Sequence, residues 1–89
     1  MKFLLIIALA LTAPPKVTLT WTGQATQVWR ATGNCWNASK LTWVKIAQIP
    51  PASTYTDLTA AVNTMYCWKV QNEAGQASNP WGAEVVVVP

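Results

Sequence analysis

The side chains that could perform acid–base or nucleophilic chemistry are few in this 89-residue chain. It has no histidine, so neither a Ser–His nor a Cys–His pair can form, and its serines have no base to activate them. The three acids are Asp57, Glu73 and Glu84, and no pattern brings two of them together. Two cysteines without histidine do not complete a tetrahedral zinc set. We therefore expect a protein that is not an enzyme and uses no cofactor, with Asp57 bonding local backbone amides.

Tryptophan is the residue in excess, with six in 89 positions. Trp21 and Trp68 fall on the inward parity of their predicted strands and are expected in the core. Exposed aromatic rings can stack on sugar rings or anchor a protein interface at low entropic cost. The alternative is that the remaining rings cover a disulfide and fill a small core. The four candidate binding tryptophans are Trp29, Trp36, Trp43 and Trp81.

The elements that would position these residues are strands. Residues 66–71 alternate large apolar groups with smaller or polar ones, a period of two that gives one core face and one outward face. Residues 17–21 and 27–32 are two more β-branched and aromatic runs, and residues 84–88 form a final apolar run after a tight turn. The sequence predicts a small, all-β, antiparallel sandwich.

The middle of the chain is harder to interpret. Residues 34–40 read as a polar loop and residues 41–46 as a short strand. The Pro50-Pro51 pair is expected to break the chain before a strand end at residues 54–57, because proline cannot donate to a sheet.

The ordered set of these segments resembles a fibronectin type III domain over roughly residues 16–89. The resemblance is carried by Val-Thr-Leu-Thr-Trp from Val17, Val-Trp-Arg from Val28, Tyr-Thr-Asp from Tyr55 and the run that begins at Tyr66. It implies an immunoglobulin-like antiparallel β-sandwich, with Trp21 as the core tryptophan and Tyr66 in the tyrosine-corner role, its hydroxyl bonding backbone near residues 58–62. These sequence motifs are similar to those of single modules on the surface and virion proteins of bacteria and their phages.

Cys35 and Cys67 are the only cysteines. Cys67 has outward parity in its strand, and Cys35 follows a turn just beyond the strand that should neighbour it. A bridge between them would close a loop of about 30 residues and contribute about 3 to 4 kcal/mol. Two free thiols in a reducing compartment are the alternative. We expect the disulfide, and with it an extracellular, cell-surface or virion location.

Residues 1–13 form a hydrophobic segment ahead of the domain at residues 14–89. The nine apolar residues from Phe3 to Leu11 would span about 14 Å as a helix, too short for a stable membrane span. The segment looks like a secretory signal peptide, although its small-x-small sites lie very early or directly before proline. A fibronectin type III domain normally has one further strand before the run at residues 17–21.

Two alternatives follow for this segment. If it is cleaved, the strand at residues 17–21 becomes an open edge that can accept a strand from another chain. If it is retained, residues 3–11 supply the missing first strand or an apolar arm against a partner. The candidate arm and edge residues are Phe3, Leu4, Leu5, Ile6, Ile7, Val17 and Leu19.

The formal net charge is +3. Arg30, Lys45 and Lys69 are expected to share the outward face with Trp29, which makes Arg30 a further binding candidate. This basic patch is less dense than nucleic-acid binding normally needs, so we expect no nucleic-acid partner. Low charge suits a subunit of an assembly, homo-oligomeric or capsid- or tail-like, better than a free monomer.

Two functions therefore compete. The first is a structural, decoration or adhesion module that makes protein contacts in an extracellular or virion-like assembly. The second is a secreted carbohydrate- or receptor-binding module that uses exposed tryptophans. Fold alone cannot choose between them, because sandwiches host many unrelated functions.

Overall fold

The computed structural model describes residues 5–10 and 16–85, and these residues form an almost entirely antiparallel β-structure. This confirms the all-β prediction. A short 3₁₀ helix at Cys35–Lys40 replaces the expected polar loop. The strands in the described residues are β1 (Leu5–Ala10), β2 (Lys16–Thr32), β3 (Val44–Asp57), β4 (Thr64–Gln71) and β5 (Trp81–Val85).

The long strand β2 organises the sheet. Its first half pairs with β1 on one side and the end of β3 on the other, and its second half lies between the start of β3 and β4. β5 pairs with β4, which gives the order β1-β2-β4-β5 with β3 joined to β2. The two runs predicted at residues 17–21 and 27–32 are therefore halves of one strand. Pairing with β3 is irregular between Thr20 and Ala25, around Gly23, whose φ of 91° favours glycine.

β3 also differs from the prediction. It begins at Val44 and continues through Pro50 and Pro51 to Asp57, where a short strand and a break were expected. The two prolines fall where the register with β2 skips from Gln48 to Ala52. Proline is tolerated at such irregular positions because no ladder bond from its nitrogen is needed there.

The core joins both halves of β2 to the inner face of β4. Trp21 and Trp68, the predicted core tryptophans, are 4% and 0% exposed. Full burial of a large apolar side chain contributes about 1.5 to 3 kcal/mol, so this cluster carries much of the folding free energy. Its buried strand residues are Val17, Leu19, Trp21, Ala25, Val28, Tyr66, Trp68 and Val70.

The N-terminal segment forms a strand in this structure. Leu5 pairs with Trp21 and Ile7 with Leu19, so β1 lies against the first half of β2. Val17 and Leu19 are fully buried in a strand with neighbours on both sides, so they do not form an open edge while β1 is in place.

Among the other predicted arm residues, Ile6 lies in β1, whereas Phe3 and Leu4 lie outside the described residues. Within the described part of the chain, no helix has the length and apolar character needed to cross a membrane.

Candidate binding surface on the outer face of β4

Three residues of β4 alternate with its core residues and form what we call the outer row: Met65, Cys67 and Lys69. Alternate residues of a strand lie about 6.6 Å apart, so the row is about 13 Å long from Met65 to Lys69. Segments distant in sequence contact Cys67 and Lys69, whereas Met65 is exposed. The result is a surface with an apolar end at Met65 and a cationic end at Lys69.

A disulfide occupies the centre of the row. Cys35 is bonded to Cys67 with a Cα–Cα distance of 5.4 Å, which confirms the predicted bridge and fastens the 3₁₀ helix over β4. Gly82 of β5 pairs with Cys67, and a Cβ at Gly82 would lie 3.2 Å from Cys35 Sγ. Sequence reasoning missed the role of Gly82; the turn and strand signals around it carry no sign of the close approach of Cys35.

Trp36 lies at the apolar end and is 91% exposed. Its backbone N–H donates to Asn34 Oδ1 at 2.9 Å, so Asn34 caps the start of the 3₁₀ helix directly before the disulfide residue Cys35. Beside it, Met65 is 38% exposed. The two side chains border a shallow groove of about 450 Å³ that Asn34, Cys35 and Gly82 complete. The backbone that carries Trp36 is held in place while its ring faces solvent.

Lys69 marks the cationic end. Its Nζ lies 4.4 Å from the centre of the Trp43 ring and 5.9 Å from that of Trp29, within the range of cation–π attraction. Trp43 is tied to the helix, because its Nε1–H donates to the Ala38 carbonyl at 2.9 Å. Trp29 and Trp43 are therefore half-buried and already in contact with a cation of the same chain.

Trp81, the fourth candidate tryptophan, is half-buried. It lies in β5 opposite Trp68 and packs against the core. Of the four candidates, Trp36 alone is exposed. The other three are half-buried and make contacts within the chain that account for a structural role.

Arg30 is not on this surface, so its predicted place beside Trp29 is wrong. The alternation of β2 gives Arg30 the parity of buried Val28, and its Nη1 donates to Asp57 Oδ2 at 2.9 Å. Its guanidinium also lies 4.6 Å from the centre of the Tyr66 ring. Lys45, exposed and paired with Trp29, has the predicted outward parity.

Asp57 is the centre of this inner cluster, which consists of Arg30, Asp57, Tyr66 and Trp68. The buried carboxylate accepts from Thr59 N–H at 2.9 Å, from the Thr59 hydroxyl at 2.8 Å and from Trp68 Nε1–H at 3.0 Å. Burial acts to raise the pKa of Asp57, but the hydrogen bonds from Thr59, Trp68 and Arg30 outweigh it and hold the pKa below its usual value. The bond from Thr59 N–H is the local amide contact predicted for Asp57.

The Tyr66 hydroxyl accepts from the Ala61 N–H at 2.9 Å, inside the stretch that the family resemblance implies. Together with Asp57, it fastens the connection between β3 and β4 to the core. The inner cluster has the features of a structural device, because the carboxylate and the hydroxyl are both used within the chain.

Comparisons of the chain with protein-family models, with curated proteins and with solved structures find no significant match. Within residues 5–10 and 16–85, no group of three or more metal-ligating side chains is present.

Proposed function

We propose that this chain is a non-enzymatic binding module that makes protein–protein contacts through Trp36 and Met65 in an extracellular or virion-like assembly. The observation that carries the proposal is the exposure of Trp36, at 91%, on a backbone held by an N-cap and a disulfide. A large ring on a backbone that is already held in place loses less entropy when it anchors an interface than a ring on a mobile segment does. Neighbouring Met65 adds a flexible apolar contact.

The proposal includes an immunoglobulin-like sandwich of the fibronectin type III kind. It is supported by the pairing of the two halves of β2 with different strands, β1 and β4, by buried Trp21 in an early strand and by the hydroxyl contact of Tyr66. The Cys35–Cys67 disulfide supports an oxidising, extracellular, cell-surface or virion location.

Glycan binding is the second candidate function, and a protein partner is better supported. A sugar-stacking platform needs free aromatic faces, and Trp29 and Trp43 already contact Lys69. Asn34, the polar residue of the groove, already uses its side-chain oxygen to cap the helix. A single free ring beside the apolar side chain of Met65 suits an apolar protein contact better than a polyhydroxylated ligand.

Site-specific photo-crosslinking in the cells or particles that produce the chain tests the proposal. The photoreactive residue p-benzoylphenylalanine replaces Trp36 in one variant and Leu58, 59% exposed in the β3–β4 connection, in a control variant. We expect a covalent adduct with a defined protein from position 36 and none from position 58. No adduct at position 36, or the same adducts at both positions, would contradict the proposal.

A glycan array measured with the wild-type chain and with Trp36→Ala separates the two candidate functions. We expect no glycan to bind in a Trp36-dependent manner. Binding that is lost in the variant would replace the protein-contact proposal with the carbohydrate one.

The intact mass of the protein from its native source tests the role of β1. Retention of residues 1–13 favours an assembly subunit in which β1 covers β2. Loss of these residues favours an exported module whose β2 is open to a strand from another chain.

A further inference from the structure

We infer that the partner bound at Trp36 is an acidic protein segment whose carboxylate lies about 13 Å from the apolar group that packs on Trp36 and Met65. This inference rests on the proposed function and adds the chemistry and spacing of the partner. It is carried by the charges and the geometry of the outer row.

The cationic end of the outer row has no acid of its own among the described residues. Trp29 pairs with Lys45 on one side and with Lys69 on the other, so these two lysines lie on the two strands that flank β2, about 10 Å apart. In the described part of the chain, the one ion pair joins Arg30 to Asp57 in the inner cluster. Two positive charges therefore face outward, and within the part of the chain that the structure describes no carboxylate is paired to either.

The side chain of Lys69 is already positioned to bind a charged partner. Two indole rings hold its ammonium group, so a carboxylate that binds there does not have to order a mobile side chain. Charge-assisted hydrogen bonds are also stronger than neutral ones when water is partly excluded. Lys45 is more exposed and adds a second, weaker attraction.

The position of each charge along the outer row determines where the acidic residue of the partner should lie. Glu84 pairs with Met65, so the acidic position in β5 is at the apolar end of the row. An extended partner rises about 3.3 Å per residue. When an apolar side chain of the partner segment packs on Trp36, the partner residue four positions away therefore reaches Lys69. An acidic residue at that position is favoured over one next to the apolar residue, which would lie at the end of the row where Glu84 is located.

Selection from a random library of peptides of about twelve residues tests the inference. The folded wild-type chain, Trp36→Ala and Lys69→Gln serve as separate targets, each checked by circular dichroism. We expect wild type to select peptides with a large apolar residue and an Asp or Glu four positions from it. Lys69→Gln should keep the apolar preference and lose the acidic one, and Trp36→Ala should select neither.

The outcomes separate the two proposals. If wild type selects apolar peptides without an acid at that spacing, the acidic partner is wrong and the binding role of Trp36 stands. If Trp36→Ala selects the same peptides as wild type, or wild type selects none, both are wrong.

The affinity of a selected peptide gives a second readout. We expect Lys69→Gln to weaken binding about fivefold, corresponding to about 1 kcal/mol for a pair of charges. Lys69→Arg should bind nearly as wild type. The matched charge control Lys16→Gln, on the half of β2 that pairs with β1, should have no effect. Equal losses in Lys16→Gln and Lys69→Gln would indicate net charge alone and overturn the inference.

Other polyanions provide the last control. Heparin and oligothymidylate are titrated against wild type and Trp36→Ala, at NaCl concentrations from about 0.05 to about 0.5 M. We expect weak binding that does not depend on Trp36. Tighter binding of either polyanion than of the acidic peptide would overturn the assignment of a protein partner.

Discussion

β4 carries a tryptophan-and-cation group on each of its faces, and the two groups behave differently. On the inner face, Arg30 stacks on Tyr66 and pairs with Asp57, which also accepts from Trp68. On the outer face, Lys69 contacts two tryptophan rings and no carboxylate among the described residues. The inner group has its carboxylate within the chain, whereas Lys69 has no ion pair among the described residues and lies about 13 Å along the outer row from the end that carries exposed Trp36.

The comparison shows that residue type alone does not separate structure from function. Both groups combine a tryptophan, a cation and a cation–π contact, and each includes a residue of β4. What differs is the presence of an acid. Arg30 and Lys69 are both partly exposed, but Arg30 lies beside the buried carboxylate of Asp57, whereas Lys69 has no ion pair among the described residues. The outer group is therefore free to take its acid from a partner.

The largest effect is expected from the inner cluster. Asp57→Ala should lower the free energy of unfolding by about 3 to 5 kcal/mol, because it removes four hydrogen bonds to a buried carboxylate and leaves the buried Trp68 Nε1–H without its acceptor. Asp57→Asn, which keeps the shape and an acceptor for Thr59 N–H, should lose less. Urea unfolding of both variants measures the difference. A loss below about 1 kcal/mol in Asp57→Ala would mean that the inner cluster does not hold the fold.

The disulfide that joins the outer elements to β4 should come next. Reduction of the Cys35–Cys67 bridge, which spans 32 positions of sequence, should cost about 3 to 4 kcal/mol because the unfolded chain regains loop entropy. Urea unfolding with and without dithiothreitol measures this cost. An unchanged midpoint in fully reduced protein, verified by thiol titration, would show that the outer elements are held by their packing instead.

Acid should weaken the inner cluster selectively. The folded pKa of Asp57 is lowered, so its contribution is complete above the unfolded value of about 3.9 and is lost as the pH falls through the folded pKa. We expect the urea midpoint to be flat from about pH 5 to 7 and to fall below about pH 4. In Asp57→Asn this fall should be smaller. The same acid sensitivity in the variant would assign the effect to other carboxylates.

The smallest effect on stability is expected at Trp36. Trp36→Ala should change the free energy of unfolding by less than about 0.5 kcal/mol, because the ring is exposed to solvent. Its matched counterpart is Trp68→Phe, which replaces the buried indole with a smaller ring, removes the bond to Asp57 and should cost about 2 kcal/mol or more. Similar losses in the two variants would remove the distinction between a structural and a free tryptophan.

Much of the fold could be predicted from local patterns. The alternation of β4 and the core positions of Trp21 and Trp68 followed from strand parity. The disulfide followed from the outward parity of Cys67 together with the position of Cys35 just beyond the neighbouring strand. The continuity of β2 and β3 could not be predicted, because Gly23 and the Pro50-Pro51 pair read as breaks when the pairing strand is unknown. The misplacement of Arg30 was avoidable, since parity with Val28 already indicated the inner face.

The candidate site was only partly visible in the sequence. Trp36 was one of four equal candidates for a binding residue, and no sequence pattern indicated that Gly82 lies against Cys35. Trp29 and Trp43 contact Lys69, and Trp81 packs against the core. None of these three rings is therefore free to bind a partner in the way that Trp36 is.

The sequence by itself determined which residues of β4 face the core and which face outward, because side-chain direction along a strand is a local property of two-residue period. It also determined the lack of histidine-based chemistry. Only the tertiary structure decided which outward tryptophan is free and which cation is paired. Exposure and pairing depend on segments far apart in the chain, such as the 3₁₀ helix over Cys67 and Asp57 beside Arg30, and no local pattern reports which of these segments meet.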